Sequence, residues 1–364
     1  MNGKSFFLDS NEQIANPPDL SEYEVTVFGR GYGESIVLSC GNRDFVVVDS
    51  FLNPNSGRPI ALDYLDCLGI SYKKIKQVII THWHDDHIRG ISEIILKANE
   101  NVQVVLNPVI KDSIFLKYMQ KGTEEGGDNG LYEFSKVMHY IKSHKSNVRF
   151  AHRDTRIFSN EDCYPTELYT LAPQDSELLK YIETYIYPNL NERISAPYYH
   201  SDNELSLVLL LKCNQDGALL GGDLQNSRDK NLGWDIVVDN YSHKKTRSSF
   251  YKVPHHGSIT GFNGRIWSVI LGDNPYSVIT AFNKGKKLPE ESEIERIKKL
   301  SKCVYVVGGT QRDKIIERRI RHITRNTQIE TSIAQVGMVR YRRKIDIDQS
   351  TIEHYGYVDI YPQI

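Results

Sequence analysis

The stretch Thr81-His82-Trp83-His84-Asp85-Asp86-His87 decides the fold prediction for this sequence. It directly follows the apolar segment 76–80, whose β-branched residues predict a strand. Alternate side chains of a strand point the same way, so His82 and His84 face one side, and a turn brings the next aspartate and histidine back towards them. Imidazole and carboxylate ligands together suit zinc, manganese or iron better than calcium. A polar loop that is rich in histidine by chance is the alternative, and the density of ligands disfavours it.

The bulk composition is that of a globular chain with balanced charge. The sequence has 364 residues, and 40% of them are hydrophobic, which is enough for a sizeable core and excludes a disordered protein. The chain has 45 lysines and arginines and 46 acidic residues, so it is not a general polyanion binder. A local basic face is still compatible with this balance. The five cysteines are odd in number and form no CxxC pair, which argues against a disulfide framework or a cysteine-rich zinc site.

The sequence predicts neither a signal peptide nor a membrane span. Its first twenty residues contain no continuous apolar segment. The longest apolar run, 207–211, is far shorter than the roughly 20 residues that span a bilayer. We therefore expect a cytoplasmic protein that makes no contact with a membrane.

Strands and helices alternate along the chain, which predicts an α/β protein with an αββα sandwich architecture. Besides the strand before the histidines, the expected strands are 24–28, 35–40, 45–49, 168–171, 205–212, 218–222, 250–253, 277–280 and 304–307. The expected helices are 60–68, 88–97, 131–144, 176–187 and 291–300. Without a long linker or repeat, residues 1–364 are interpreted as one domain. It would carry a helical insertion at about 108–200 and a basic C-terminal segment at about 312–344.

Three further blocks with metal-ligand chemistry follow predicted strands. Asp49 closes the segment Phe45-Val46-Val47-Val48. Gly221-Gly222-Asp223 follows an apolar run, and Val253-Pro254-His255-His256-Gly257-Ser258 ends another strand. With the H-x-H-x-D-H motif, these blocks resemble the signature of the metallo-β-lactamase superfamily, in the same order along the chain. The resemblance implies the αββα metallo-β-lactamase sandwich.

The resemblance also implies a two-metal site that binds Zn²⁺ or Mn²⁺. His82 and His84 would hold the first metal, while Asp86, His87 and His256 would hold the second. Asp223 would bridge both ions, and Asp49 would organise the site without binding metal. His255 is an alternative ligand, but lactamases of this superfamily have V-P-G-H-G here, which assigns the ligand to His256 and leaves His255 as a supporting donor or a substrate contact.

One part of the pattern is missing. Most members supply a third histidine to the first metal from the loop before the strand that begins near Ser206. Here His200 lies too far upstream for the usual spacing, and Asp202 and Asn203 stand nearer the expected place. The first metal is then held weakly or arrives with the substrate, and occupancy by two metals stays open.

Segments around the motifs are similar to the hydrolase domain of DNA-uptake proteins of the ComEC type. The segments are 31–36, 206–209, 222–224 and 252–258, and an asparagine-containing loop in place of the third histidine is also similar to that group. This resemblance implies cleavage of phosphodiester bonds, with one DNA strand as substrate.

Basic residues agree with a nucleic-acid substrate. Residues 312–344 contain ten lysines or arginines against three acidic residues, and Lys244, Lys245, Arg247 and Lys252 precede the His255-His256 pair. A cationic strip beside two metals would attract a polyanion. The alternative is a solvated helix face at 312–325 and an ordinary charged hairpin near 340–344.

The main hypothesis is a metal-dependent phosphodiesterase or nuclease that acts on DNA through a metal-bound hydroxide, because two cations about 3.5–4 Å apart lower the pKa of a bridging water. Asp86, Asp223 and His255 are its expected catalytic residues. A second hypothesis is the hydrolysis of a small ester, lactone or cyclic phosphodiester, which a narrow pocket would favour. A third is a metal-binding subunit of a multiprotein complex, for example a defence assembly, with a protein partner.

Overall fold

A computed structural model describes residues 14–111, 129–144, 147–160, 165–183, 202–309 and 336–363. Within these ranges the chain forms two eight-stranded mixed sheets. The strands of the first sheet are β1 Glu22–Gly29, β2 Glu34–Cys40, β3 Phe45–Val48, β4 Ile75–Ile79, β5 Gln103–Leu106, β6 Val148–Phe150, β14 Gly337–Lys344 and β15 Ser350–Gly356. The strands of the second sheet are β7 Thr155–Asn160, β8 Thr166–Ala172, β9 Val208–Cys213, β10 Asp216–Leu220, β11 Arg247–Lys252, β12 Leu271–Thr280, β13 Cys303–Val307 and β16 Val358–Pro362.

Helices cover the outer faces of both sheets. Their bounds are α1 Ile60–Cys67, α2 Asp85–Ile88, α3 Ile91–Lys97, α4 Asn129–Ser143, α5 Asp175–Tyr181, α6 Gly233–Asp239, α7 Arg265–Val269 and α8 Glu291–Lys298. None of the helices in the described ranges is long and apolar enough to cross a membrane.

Alternation along each strand builds three layers of core. On β2, Val37 packs towards α1, α3 and α4, while its neighbour Leu38 packs between the sheets. On β9, Leu209 lies between the sheets and Leu210 packs towards α6, α7 and α8. A period of two places successive side chains on opposite faces, and strands buried on both faces need apolar residues at nearly every position. The two sheets therefore lie face to face between helices, as an αββα sandwich, and the predicted fold class is confirmed.

Strand direction positions the functional residues. Strands β3, β4 and β5 are parallel neighbours, and β10, β11, β12 and β13 form a parallel run in the other sheet. Strand β2 is antiparallel to β3, so it begins where β3 ends. The carboxyl ends of parallel strands meet at one edge, which brings the loops after β3, β4, β10 and β11 together.

The region from 108 to 200 contributes more than helices. The helices expected at 131–144 and 176–187 correspond to α4 and α5, although residues beyond 183 lie outside the described residues. The same region also supplies β6, β7 and β8, which extend both sheets at one side. Of these three strands, the sequence pattern predicted only the one at 168–171.

Candidate metal centre

Asp86, His87 and His256 form a buried cluster with donor atoms close enough to share one cation. One ligand atom from each lies within 4.8 Å of the other two. Nε2 of His256 is 3.3 Å from Oδ2 of Asp86, and Nε2 of His87 is 3.7 Å from the same oxygen. These are the three residues predicted for the second metal, and the structure brings them together from two sheets.

Asp223 lies between the two predicted metal positions. Its Oδ2 is 3.6 Å from Nε2 of His87, 3.5 Å from Nε2 of His256 and 3.9 Å from Nε2 of His82. One oxygen thus faces a ligand of the first position and two ligands of the second. This is the placement that a bridging carboxylate requires.

The backbone before Asp223 holds it in this place. Gly222 has φ +53°, and a Cβ there would lie 2.5 Å from Oγ of Ser206 and 2.7 Å from the carbonyl oxygen of Leu207. Only glycine tolerates both the left-handed conformation and the close approach. The Asp223 N–H donates to the same Ser206 Oγ at 2.9 Å.

Asp49 organises the turn after β4 through hydrogen bonds. Its Oδ1 accepts from the Thr81 N–H at 2.8 Å, and its Oδ2 accepts from Thr81 Oγ1 at 2.6 Å. Oδ2 also lies 2.8 Å from Nδ1 of His87. A carboxylate at Nδ1 keeps the proton there, so the lone pair of His87 sits on Nε2, which faces the cluster.

His82 and His84 meet as the alternation predicted. Nε2 of His82 is 3.1 Å from Nδ1 of His84, and Nδ1 of His82 is 2.9 Å from Oγ1 of Thr81. His82 is buried, whereas His84 is partly exposed. The pair therefore lies at the solvent side of the centre.

His255 and His256 separate because of an unusual turn. Their φ angles are +47° and +53°, and Gly257 follows at +74°. Consecutive left-handed residues are costly for side chains with a Cβ, so the surrounding contacts must hold them. His256 turns into the cluster, with Nδ1 3.1 Å from the carbonyl oxygen of Thr280. That carbonyl accepts a hydrogen bond from Nδ1–H, which leaves the lone pair on Nε2, the atom available to a metal.

Both ring nitrogens of His255 contact protein groups instead. Nε2 lies 3.2 Å from Nδ2 of Asn203, and Nδ1 lies 2.8 Å from Oγ1 of Thr260. Burial lowers the pKa of His255 to about 4, so the ring is neutral at neutral pH. These contacts agree with His256, and not His255, as the metal ligand. The catalytic role of His255 stays a prediction.

The charges inside the cluster match a cation site. Burial alone would raise the pKa values of Asp86 and Asp223, but His87 and His256 hold both values below the ordinary range. Burial alone would lower the pKa values of His87 and His256, but the two carboxylates hold both above the usual value. For His82, burial and the neighbouring histidines lower the pKa well below its usual value. The carboxylates are therefore negative, and a bound cation would displace the protons of His87 and His256.

Two buried polar atoms of the cluster have no hydrogen-bond partner among the described residues. They are Nε2 of His87 and Oδ1 of Asp223. Buried polar atoms nearly always have a hydrogen-bond partner, and where they have none a bound ion often takes its place. Together with the mixture of imidazole and carboxylate, this makes the site fit a divalent transition metal.

Glu34 and Thr280 belong to the centre although the sequence analysis did not assign them. A carboxylate oxygen of Glu34 lies within 4.8 Å of ligand atoms of His87 and Asp223. The Thr280 hydroxyl donates to Oε2 of Glu34 at 2.5 Å. Glu34 lies in the 31–36 segment that carries part of the resemblance, but nothing in that segment assigns its side chain to the centre, and Thr280 lies in no motif. Both residues reach the site through the pairing of β2 with β3 and the end of β12.

Lys252 does not face the substrate side. Its side chain is fully buried, and Nζ lies 2.7 Å from Oε2 of Glu34. The two groups form an ion pair without hydrogen-bond geometry. Lys252 is therefore no part of an exposed cationic strip, because the alternation of β11 turns this residue inward.

The described part of the predicted basic segment is neutralised and lies away from the centre. Arg342 pairs with Glu24 at 2.7 Å, and Arg343 pairs with Asp216 at 2.6 Å. Glu24 is opposite Ser39, five residues along β2 from Glu34, so Arg342 lies about 17 Å from that end of the sheet. Residues 312–335 of the segment lie outside the described residues. The charged hairpin expected near 340–344 is confirmed as the β14–β15 pair.

The cluster residues line neither of two cavities that lie among the described residues. The larger, about 520 Å³, lies between the ends of α3 and α4 and is lined by residues such as Leu96 and Tyr140. The smaller, about 110 Å³, is lined by Glu204, Leu205 and Gln225 among others.

The chain thus combines two face-to-face sheets, outer helices and a buried cluster of histidines and carboxylates beyond the strand ends. The chain has the metallo-β-lactamase fold. A family model described as anti-Pycsar protein Apyc1 matches residues 57–165, a range that contains the H-x-H-x-D-H motif. No curated protein sequence matches the chain.

Similar solved structures have low identity to this chain. AbOPH, a hydrolase of the beta lactamase superfamily, is 15% identical with a TM-score of 0.33, over 54% of this chain and 58% of its own. The metallo-beta-lactamase SMB-1 is 11% identical with a TM-score of 0.30, over 60% and 70%. MEM-A1, a subclass B3 metallo-beta-lactamase from a soil metagenome library, is 10% identical with a TM-score of 0.31, over 60% and 68%.

Proposed function

We propose that this protein is a metal-dependent phosphodiesterase that hydrolyses a cyclic nucleotide. The observation that carries the proposal is the buried cluster of Asp86, His87, His256 and Asp223, in which Nε2 of His87 and Oδ1 of Asp223 have no hydrogen-bond partner among the described residues. Divalent cations bound there would lower the pKa of a water molecule and neutralise charge on the attacked phosphoryl group. The match with the Apyc1 model favours a cyclic nucleotide as the substrate.

The chain's own residues have distinct parts in this proposal. Asp86, His87 and His256 would hold the second cation, and His82 and His84 would hold the first. Asp223 would contact both positions. Asp49 keeps the lone pair of His87 directed at the cluster, and the carbonyl of Thr280 does the same for His256.

Several of the cations expected to attract DNA are paired within the described residues, which favours a small substrate over DNA. Lys252 is buried against Glu34, and the arginines of β14 are paired far from the centre. A protein that holds duplex DNA needs several unpaired cations along the groove. A cyclic phosphodiester carries one negative charge, which the metals themselves would neutralise.

The test is turnover by metal-stripped protein to which Mn²⁺, Zn²⁺ or Mg²⁺ is restored separately. Purine and pyrimidine 3′,5′-cyclic nucleotides are separated from their linear products by chromatography, and labelled single- and double-stranded DNA is assayed in parallel. We expect metal-dependent opening of the cyclic phosphodiester. Asp86→Ala and His87→Ala should abolish it, while Asp63→Ala, at a buried carboxylate outside the centre, should retain it.

The other outcomes separate the remaining hypotheses. Metal-dependent cleavage of DNA alone would contradict the cyclic substrate and return the function to a nuclease, as the resemblance to DNA-uptake hydrolases predicts. Bound metal without turnover of any substrate would favour the metal-binding subunit, and a protein partner would then be sought by co-purification.

A further inference from the structure

The segment that should carry the missing third histidine lies against the centre. The N–H of Leu207 donates to the carbonyl oxygen of Thr81 at 3.1 Å, directly beside His82. Ser206 Oγ accepts the N–H of the bridging Asp223. The segment that contains Asn203 is thus fixed between a ligand of the first metal position and the bridging carboxylate.

Asn203 has an unused acceptor in this position. Its side chain is buried, and Nδ2 lies 3.2 Å from Nε2 of His255. Its Oδ1 is buried and makes no hydrogen bond with any described residue. An amide that donates with Nδ2 leaves both lone pairs of Oδ1 free, and a buried carbonyl oxygen of this kind usually contacts water or an ion.

The first metal position needs a further protein ligand. Besides the shared Asp223, the second position has three ligands of its own, Asp86, His87 and His256, whereas His82 and His84 give the first position two. Zinc and similar ions generally bind four ligands. His255 is the other nearby donor, but both of its nitrogens contact protein groups. We propose that Oδ1 of Asn203 is the third ligand that belongs to the first metal alone, in addition to the bridging Asp223. This inference rests on the proposed metal chemistry and replaces the absent histidine with a neutral oxygen.

The ligand set sets the relative affinity of the two positions. A neutral amide oxygen is a harder and weaker donor than imidazole, and it suits Mn²⁺ better than a third histidine would. The second position has Asp86 besides its two histidines and a share of Asp223. The protein therefore binds one metal tightly and one weakly, and the weak position discriminates less against Mn²⁺.

Calorimetric titration of metal-stripped protein with Mn²⁺, and separately with Zn²⁺, tests this assignment. The wild type should show one tight and one weak class of site. Asn203→Ala should weaken the weak class by at least about ten-fold, since even supporting groups of a metal ligand are worth 10–100-fold in affinity. It should leave the tight class unchanged. Asn203→His should strengthen the weak class, most of all for Zn²⁺, while Asp86→Ala should remove the tight class.

Thr260→Ala is the matched control, because it removes the other contact of His255 and leaves Oδ1 of Asn203 in place. Unchanged metal affinities are expected for it, with thermal unfolding and circular dichroism confirming that each variant is folded. Equal losses in Thr260→Ala and Asn203→Ala would show that Asn203 acts through His255, and would overturn the assignment. So would a wild type with a single class of site.

His200 lies outside the described residues, and His200→Ala separates it from Asn203. Loss of the weak class in His200→Ala, with both classes retained in Asn203→Ala, would also overturn the assignment. These titrations use no substrate. A protein that binds two metals as described but opens no cyclic nucleotide would refute the proposed function and leave the ligand assignment standing.

Discussion

Replacing Asp49 with asparagine should weaken metal binding at the second position in a protein that still folds. The substitution keeps the shape of the side chain and replaces one carboxylate oxygen with an NH₂ group. If the amide nitrogen takes the place of Oδ2, it meets the Nδ1 proton of His87, which lies 2.8 Å away in the wild type. The imidazole must then move its proton to Nε2, the atom that faces Asp86 and Asp223.

The opposite orientation of the asparagine amide also leaves a buried N–H group without an acceptor. Its nitrogen would then face the Thr81 N–H, which donates to Oδ1 at 2.8 Å in the wild type. Either way one buried donor loses its acceptor, which costs about 1–3 kcal/mol. In the orientation that puts the amide nitrogen at His87, this cost is added when a metal takes Nε2. At about 1.4 kcal/mol per factor of ten, metal affinity at the second position should then fall roughly 5- to 150-fold.

Calorimetry of the metal-stripped variant measures this directly. Asp63→Asn is the matched control, since Asp63 is a buried carboxylate on α1 that accepts from Asn53 at 2.8 Å, away from the centre. It should lose stability without losing metal affinity. Wild-type affinity at both positions in Asp49→Asn would refute the idea that the tautomer of His87 is set by Asp49.

Three further outcomes follow from the geometry. Lys252→Ala should destabilise the fold by about 3–5 kcal/mol, because it leaves the buried Glu34 unpaired, whereas the double variant Glu34→Gln/Lys252→Met should recover most of that loss in urea unfolding. Gly222→Ala should reduce turnover and metal affinity, since its Cβ would meet Ser206 and Leu207 at φ +53°; an active, fully loaded variant would contradict the role of this turn. Raised pKa values of His87 and His256 stabilise the metal-free protein at pH below about 6.5 and lose that effect as pH rises through the raised values. Metal binding displaces those protons, so the rise in melting temperature on adding Mn²⁺ should grow from about pH 5.5 to about pH 8.5; a constant rise in differential scanning fluorimetry would argue against the ligand assignment.

The sequence by itself determined the sandwich and most of the centre. Short runs of apolar residues mark β2, β9 and the end of β11, and the H-x-H-x-D-H stretch needs only the end of one strand and one turn to gather its ligands. Such features are local, so spacing is enough to predict them. The short strands β5, β6 and β7 were not predicted, because segments of three to six residues carry too little periodicity.

Only the tertiary structure decided where the charged and polar partners go. By its place shortly before His255, Lys252 was expected in a cationic strip, yet it is buried against Glu34, which is more than two hundred positions away in the chain. Arg342 looked like part of a basic strip until β14 paired with β1 and brought Glu24 to it. Nor could the sequence show that Asn203 would contact His255 and keep one oxygen free. A composition or a motif gives the charge of a side chain. The partner of that side chain is set by strand pairing between residues far apart in the sequence. For a buried side chain, the partner determines what the residue does.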